Sequence, residues 1–284
     1  MMSLALTPGA SARMAARVKA VAARISRMSL RIGTGSPQIW ARLCQMARGG
    51  ASRVFLALAF MGMPAQGAER VSLELVLAVD VSLSVNDIEY GLQMQGIAEA
   101  FRDPEIIALI ESHQHGVAVV LTEWTGTRAA KVPMPWRVLS GASDARSYAD
   151  EIASLPRAEF GNFTAIGHAI SFAVELLETN AYRGDERKID VSGDGRSNSG
   201  PEPSQARLEA LAQSITVNGL AIIDNDPQLA SYYAAHVITG PAAFVIRAEN
   251  FESFAEAFRR KLKRELSPKI AQLRPGQIHA EVQW

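Results

Sequence analysis

The sequence predicts an α/β fold with a mostly parallel central sheet, helices on both faces and one edge hairpin. Three observations carry this. Short apolar runs of strand length alternate with helical periodicities over about 195 residues. Two of those runs are almost continuously apolar, as expected of parallel strands buried on both faces. A segment carrying Pro133 and Pro135 can pair only at an edge, because proline offers no N–H to a ladder.

The chain has 284 residues, 29 Lys+Arg, 29 Asp+Glu and one cysteine. Its 48% hydrophobic and 20% charged residues exclude a disordered protein. One cysteine excludes a disulfide framework and a thiolate zinc cluster. The neutral total hides an asymmetry. Residues 1–68 hold nine basic residues and no acid, leaving 20 basic against 29 acidic from Glu69 onward. An acidic body repels phosphate backbones, so no nucleic-acid partner is expected.

The N-terminal 68 residues read as an extension with an export signal. The apolar run Val54–Met63 has the length of a signal-peptide core and is too short to span a bilayer. Arg48 and Arg53 precede it, and Ala65-Gln-Gly67 supplies small residues for cleavage near residues 67–68. The stretch from Met46 is a complete signal by itself, which places the expected start near residue 46; the alternative is an amphipathic presequence over residues 11–31. Cleavage removes Cys44 and leaves a cysteine-free domain suited to an oxidising compartment, periplasmic or secreted. No stable transmembrane segment is expected in the mature chain, and it is expected to act as a monomer.

The body is expected over residues 69–266, with a loosely held tail over 267–284. Ser72–Val79 reads as a central strand. Tyr90, Met94, Ile97 and Phe101 recur at helical spacing, and Gly116–Thr122 is a second buried strand. Lys131–Leu139 is the proline-bearing edge arm. Ala165, Ala169, Phe172 and Leu176 mark a helix whose second apolar set widens its buried face. Arg187–Ser192 is a shorter strand. Leu208, Leu211 and Ile215 mark a helix, Leu220–Ile223 a strand, and Ala243–Ile246 a last strand. Phe251, Phe254, Phe258 and Leu262 form a closing helix capped by Asn250 and stopped by Pro268.

In such sheets ligands bind beyond the carboxyl ends of the strands. Three of those ends carry chemistry. The first strand leads into Asp80-Val-Ser82-Leu-Ser84, whose alternation turns one carboxylate and two hydroxyls to the same side. Thr164, in Gly161-Asn-Phe-Thr-Ala-Ile-Gly167, sits where a helix begins and is also a natural N-cap. Asp194 follows the third strand between two glycines. Two carboxylates and three hydroxyls without His or Cys make a hard oxygen site, suited to Mg²⁺, Ca²⁺ or Mn²⁺. A cation held so sparsely accepts a further carboxylate from outside.

The other polar residues have plainer readings. Glu123 is expected at a solvated edge, with a supporting role at the site as the alternative. Asp190, inside an apolar strand, is expected to pair with Lys188 or Arg187. His168 is expected to pack rather than ligate. Trp124 and Trp136 belong to core or hairpin packing, an exposed rim being the alternative. Asp224 and Asp226 read as a turn before Pro227.

The three motifs together resemble the von Willebrand factor type A (vWA) domain and its metal-ion-dependent adhesion site (MIDAS): Asp-x-Ser-x-Ser, then Thr after a Gly-rich turn, then Asp before Gly. They fall in that order on Asp80, Ser82, Ser84, Thr164 and Asp194, and the resemblance covers roughly residues 71–265. The whole chain is similar to a family of exported bacterial proteins with this domain. The resemblance implies a Rossmann-like fold, direct ligation by Ser82 and Ser84, a direct or releasable contact from Thr164, and direct or water-bridged positions for Asp80 and Asp194. It also implies a non-catalytic protein whose cation meets an acidic residue of a protein partner. One departure stands out: the third motif reads Ser-Gly-Asp-Gly, so Asp194 remains the matching residue while the extra glycine leaves room for it to sit further outward.

An enzyme of the haloacid dehalogenase phosphatase type is the rival reading, on the strength of Gly193-Asp-Gly-Arg-Ser-Asn198. That chemistry needs a second carboxylate two residues after the first and a closing acid, and here those positions are Ser82 and Asn198. No Gly-x-Gly-x-x-Gly follows a strand and no Gly-x-Ser-x-Gly elbow occurs. A structural envelope protein with a stabilising metal is a further alternative.

Overall fold

The computed structural model describes residues 67–126, 130–157, 161–267 and 281–283. The expected signal peptide, Cys44 and all of the extension except Gly67 and Ala68 lie outside the described residues, as do Pro268 and most of the tail. The described part falls within one compact unit, Gly67–Trp284.

The strands are β1 (Glu69–Asp80), β2 (Val117–Trp124), β3 (Ala130–Leu139), β4 (Tyr182–Gly193), β5 (Thr216–Ile222), β6 (Phe244–Ala248) and a three-residue β7 (Glu281–Gln283). They form one sheet in the order β3-β2-β1-β4-β5-β6-β7. All neighbours are parallel except β2 and β3. The antiparallel β3 lies at the edge. Its pairing with β2 slips around Met134, which sits between Pro133 and Pro135. Among the described residues seven helices connect the strands: α1 (Asp87–Arg102), α2 (Pro104–Ser112), α3 (Ala142–Ala153), α4 (Ile166–Thr179), α5 (Pro203–Ala212), α6 (Leu229–His236) and α7 (Phe254–Leu266).

Alternation along β1, β2, β5 and β6 feeds two cores. Leu73, Leu75, Leu77 and Val79 of β1 face one side, where α1, α2, α3 and α7 pack through residues such as Phe101, Ile106, Tyr148 and Phe258. Val76 and Ala78 face the other, beneath α4, α5 and α6. Helix starts follow local chemistry. Asn86 and Glu89 form a reciprocal capping box on α1, and Asp103 with Pro104 opens α2.

Several expectations shift. β4 is twice the predicted length, because its first half pairs with β1 outside the core and is polar. On α5 the buried face is Ala206 and Ala210, whereas Leu208 and Leu211 are exposed and Ile215 lies beyond the helix. The closing helix begins at Phe254 after Ser253. Asn250 instead accepts from Ser253 N at 3.0 Å, one turn earlier. β6 is not the last strand, since Glu281–Gln283 of the expected tail pairs beside it.

Candidate metal centre

β1 leaves the sheet with β2 on one side and β4 on the other, so the strand order reverses at β1. A crevice forms at such a point beyond the carboxyl ends. Asp80 ends β1, and Asp194 immediately follows β4.

The residues of the first and third motifs meet there. Asp80 Oδ1 accepts from Ser82 N at 2.8 Å, which curls the loop tightly after the strand. Ser82 and Ser84 place their hydroxyls 3.1 Å apart, and Ser84 Oγ donates to Asp194 Oδ1 at 2.9 Å. Thr164 enters from the second motif. Its Oγ1 lies 3.8 Å from where a Cβ on Gly195 would stand. Its backbone is clamped to the third loop, with Asn198 N donating to Thr164 O and Thr164 N to Asn198 Oδ1, both at 2.9 Å. Thr164 is not the helix cap: α4 begins at Ile166 after Ala165. Thr125 Oγ1 holds the approach to Thr164 by donating to the carbonyls of Gly161 and Phe163.

Asp80, Ser82, Thr164 and Asp194 are buried, while Ser84 is exposed. Burial, with the Asp194 charge nearby, pushes the Asp80 carboxyl up to about 8. Asp194 is also raised, by burial first and then by the charges of Glu89 and Asp224, against the hydrogen bond from Ser84. Asp80 Oδ2 is fully buried, and among the described residues it has no hydrogen-bond partner. Two buried carboxylates within each other's field are costly as anions. The residues thus fit a hard divalent cation: converging oxygens, excess negative charge and an unsatisfied carboxylate oxygen. Among the described residues no three His, Cys, Asp or Glu side chains gather as a metal cage, so the donor set is hydroxyl-rich.

The extra glycine of the third motif has a steric cause. A Cβ on Gly193 would lie 2.8 Å from Asp80 Oδ2 and 2.9 Å from Tyr233 Oη. Gly193 lets the Asp80 carboxylate lean over β4. Asp194 is not pushed outward; it is 7% exposed and bonded to Ser84. Sequence reasoning missed Tyr233, Gln93, whose Nε2 donates to Asp80 O at 3.2 Å, and the role of Asn198 as a clamp. Only the fold brings them near.

The remaining residues sort as follows. Glu123 is not at a solvated edge; it is buried and accepts from Tyr90 Oη at 2.7 Å, and desolvation raises its pKa. Asp190 pairs not with Lys188 or Arg187 but with Lys261 of α7, at 2.6 Å. His168 is half-buried on α4. Trp124 is core, and Trp136 is half-buried against Tyr182. Asp226 forms the expected turn, accepting from Gln228 N, and pairs with Arg196 at 2.6 Å.

The family described as "Protein of unknown function (DUF1194)" matches residues 70–270. The chain belongs to this family. Solved structures that share the fold are vWA domains or proteins that contain one. The DUF1194 domain is similar to proximal thread matrix protein 1 from the mussel byssus, in a form described with a zinc-occupied MIDAS motif, at TM-score 0.51 and 16% identity over 69% of this chain and 48% of that one. It is similar to a von Willebrand factor type A protein from Catenulispora acidiphila, at TM-score 0.50 and 14% identity over 69% and 43%. It also resembles the pilus adhesin SpaC from Lactobacillus rhamnosus GG, at TM-score 0.50 and 12% identity over 69% and 30%. The DUF1194 chain therefore spans less than half the length of these structures. No curated protein matches the sequence. The fold is the Rossmann-like vWA fold that the motifs imply.

Proposed function

We propose that this domain binds one divalent cation at the carboxyl ends of β1 and β4 and uses it to recognise an acidic side chain of a protein partner, without catalysis of its own. The observation that carries the reading is the buried Asp80–Asp194 pair, joined to the Ser82 and Ser84 hydroxyls and left with an unsatisfied carboxylate oxygen. Asp80, Ser82, Ser84, Thr164 and Asp194 hold the ion, Mg²⁺ in the first instance, with Ca²⁺ and Mn²⁺ as alternatives. When bound, the cation supplies a positive centre to which an external carboxylate can coordinate. Ser84, on the exposed side, marks the approach. The zinc-occupied MIDAS of the byssus protein supports a metal of this charge. The domain acts as an exported monomer, periplasmic or secreted. Phosphatase chemistry finds no support: Ser82 occupies the place of the second acid, and Asn198 is engaged as an acceptor from Thr164 N.

The test is thermal unfolding of the protein with and without Mg²⁺. Ligand at a hundredfold excess over its dissociation constant stabilises the native state by about 2.7 kcal/mol. At roughly 2–4 °C per kcal/mol for a domain this size, Tm rises by about 5–10 °C. Asp80→Ala abolishes the rise. A wild-type Tm indifferent to Mg²⁺, Ca²⁺ and Mn²⁺ would defeat the reading.

A further inference from the structure

We infer that an apolar rim beside the cation site selects a protein segment bearing one acidic side chain flanked by large apolar ones. The inference rests on the cation-site reading above and specifies its partner.

Among the described residues six large apolar side chains are exposed, and three of them lie within four residues of Ser84 or Thr164 in the chain. Leu83, 68% exposed, lies between Ser82 and Ser84. Phe163, 57% exposed, immediately precedes Thr164. Ile88, 76% exposed, lies on the first turn of α1, the turn whose Glu89 acts electrostatically on Asp194. Singly exposed apolar residues are ordinary, but a group around one polar centre marks an interaction surface. These side chains ride on fixed backbone. Val85 N donates to Ser82 O at 3.0 Å beneath Leu83, and Thr125 Oγ1 donates to the Phe163 carbonyl at 2.8 Å. Asn86 caps the turn that carries Ile88. A surface already ordered loses little entropy on binding.

Charge decides the kind of occupant. Among the described residues, two arginines at the rim are engaged: Arg157 pairs with Asp87 and bonds the Val85 carbonyl, and Arg196 pairs with Asp226. Glu89 and Asp224 add negative charge around Asp194. A polyacidic or phosphate-rich ligand places its further charges against Glu89 and Asp224 beside the single cation. One carboxylate meets only the cation, and apolar neighbours on both partners exclude water and strengthen that contact by lowering the local dielectric.

A phage-displayed library of random dodecapeptides, bound to the full-length protein in Mg²⁺ and eluted with EDTA, tests this. The expected eluate carries a lone Asp or Glu with Leu, Ile, Phe, Met or Trp within two positions. A synthetic peptide of that consensus binds the Leu83→Ser/Phe163→Ser double variant about tenfold or more weakly by fluorescence polarisation, a loss equivalent to roughly 1.4 kcal/mol. The double variant keeps the Mg²⁺-induced rise in Tm. Eluates without apolar flanks, eluates rich in several acids, no enrichment, or unchanged affinity in the double variant each overturn the inference while that rise persists. Absence of the rise in the wild-type protein overturns the cation reading itself, and this inference with it.

Discussion

Gly193 shows how one missing methyl shapes the rim. The Asp80 carboxylate occupies the space that any Cβ at this position would take, and Tyr233 closes the same space from α6. Gly193→Ala is expected to displace the carboxylate, cost about 1–3 kcal/mol by overpacking, and diminish the Mg²⁺-induced rise in Tm, as read by differential scanning calorimetry with and without the ion. An Ala variant with full Mg²⁺ response would show that Asp80 has no need of its present position. Asp80, Ser82, Ser84 and Asp194 were legible in the sequence because an extended segment turns alternate residues one way and each motif follows an apolar run. Gln93, Tyr233 and Asn198 were not, because their proximity depends on the order in which distant strands and helices assemble.

At the scale of elements, the attachment of α7 to the sheet is ionic as well as apolar. Lys261 Nζ lies 2.6 Å from Asp190 Oδ1 and 2.7 Å from Glu265 Oε1, with all three residues at most 1% exposed. Asn218 Nδ2 on β5 donates to Glu265 Oε1 at 3.0 Å, and Lys188 Nζ reaches the Glu265 carbonyl at 2.5 Å. Lys261→Met leaves two buried acids without their base and is expected to cost about 3–5 kcal/mol, measured by denaturant unfolding. Burial pushes Asp190 up to about 7, against the pull of Lys261 and with the push of Glu265. A carboxyl raised in the folded state binds more protons there than when unfolded, so its contribution to stability falls as pH climbs from about 4 to about 7. Asp190→Asn removes that slope. The stability difference between wild type and variant should therefore change across this window and be flat above about pH 8; a constant difference would mean that Asp190 does not titrate there. The buried side of α3 is Ala145, Tyr148, Ala149 and Ile152, and that of α5 includes Ala206 and Ala210. Alanine-lined faces give little hydrophobic contrast, so α3 went unseen and the contacts of α5 were assigned to the wrong leucines. β1 and β2, buried on both sides, were plain as continuous apolar runs.

For the whole molecule, the shared sheet ties both cores to the site. β1, β2, β5 and β6 send alternate residues into both clusters, so neither can loosen without the other. The described domain should unfold as one cooperative unit. Calorimetry should give one transition whose calorimetric and van't Hoff enthalpies agree, displaced intact by Mg²⁺; two peaks, only one of them metal-sensitive, would contradict this. The parallel topology and its edge strand were legible from strand–helix alternation and two prolines, whereas the placement of β7 was not, because three residues in a tail carry no periodicity. The sheet register adds a practical gift. Trp124 stands directly opposite Asp80 and accepts from Val81 N through its carbonyl, with its indole buried. The chain thus carries a buried native chromophore on the strand position paired with Asp80, and a change in its emission as Mg²⁺ is titrated in would follow occupancy of the site with no label attached.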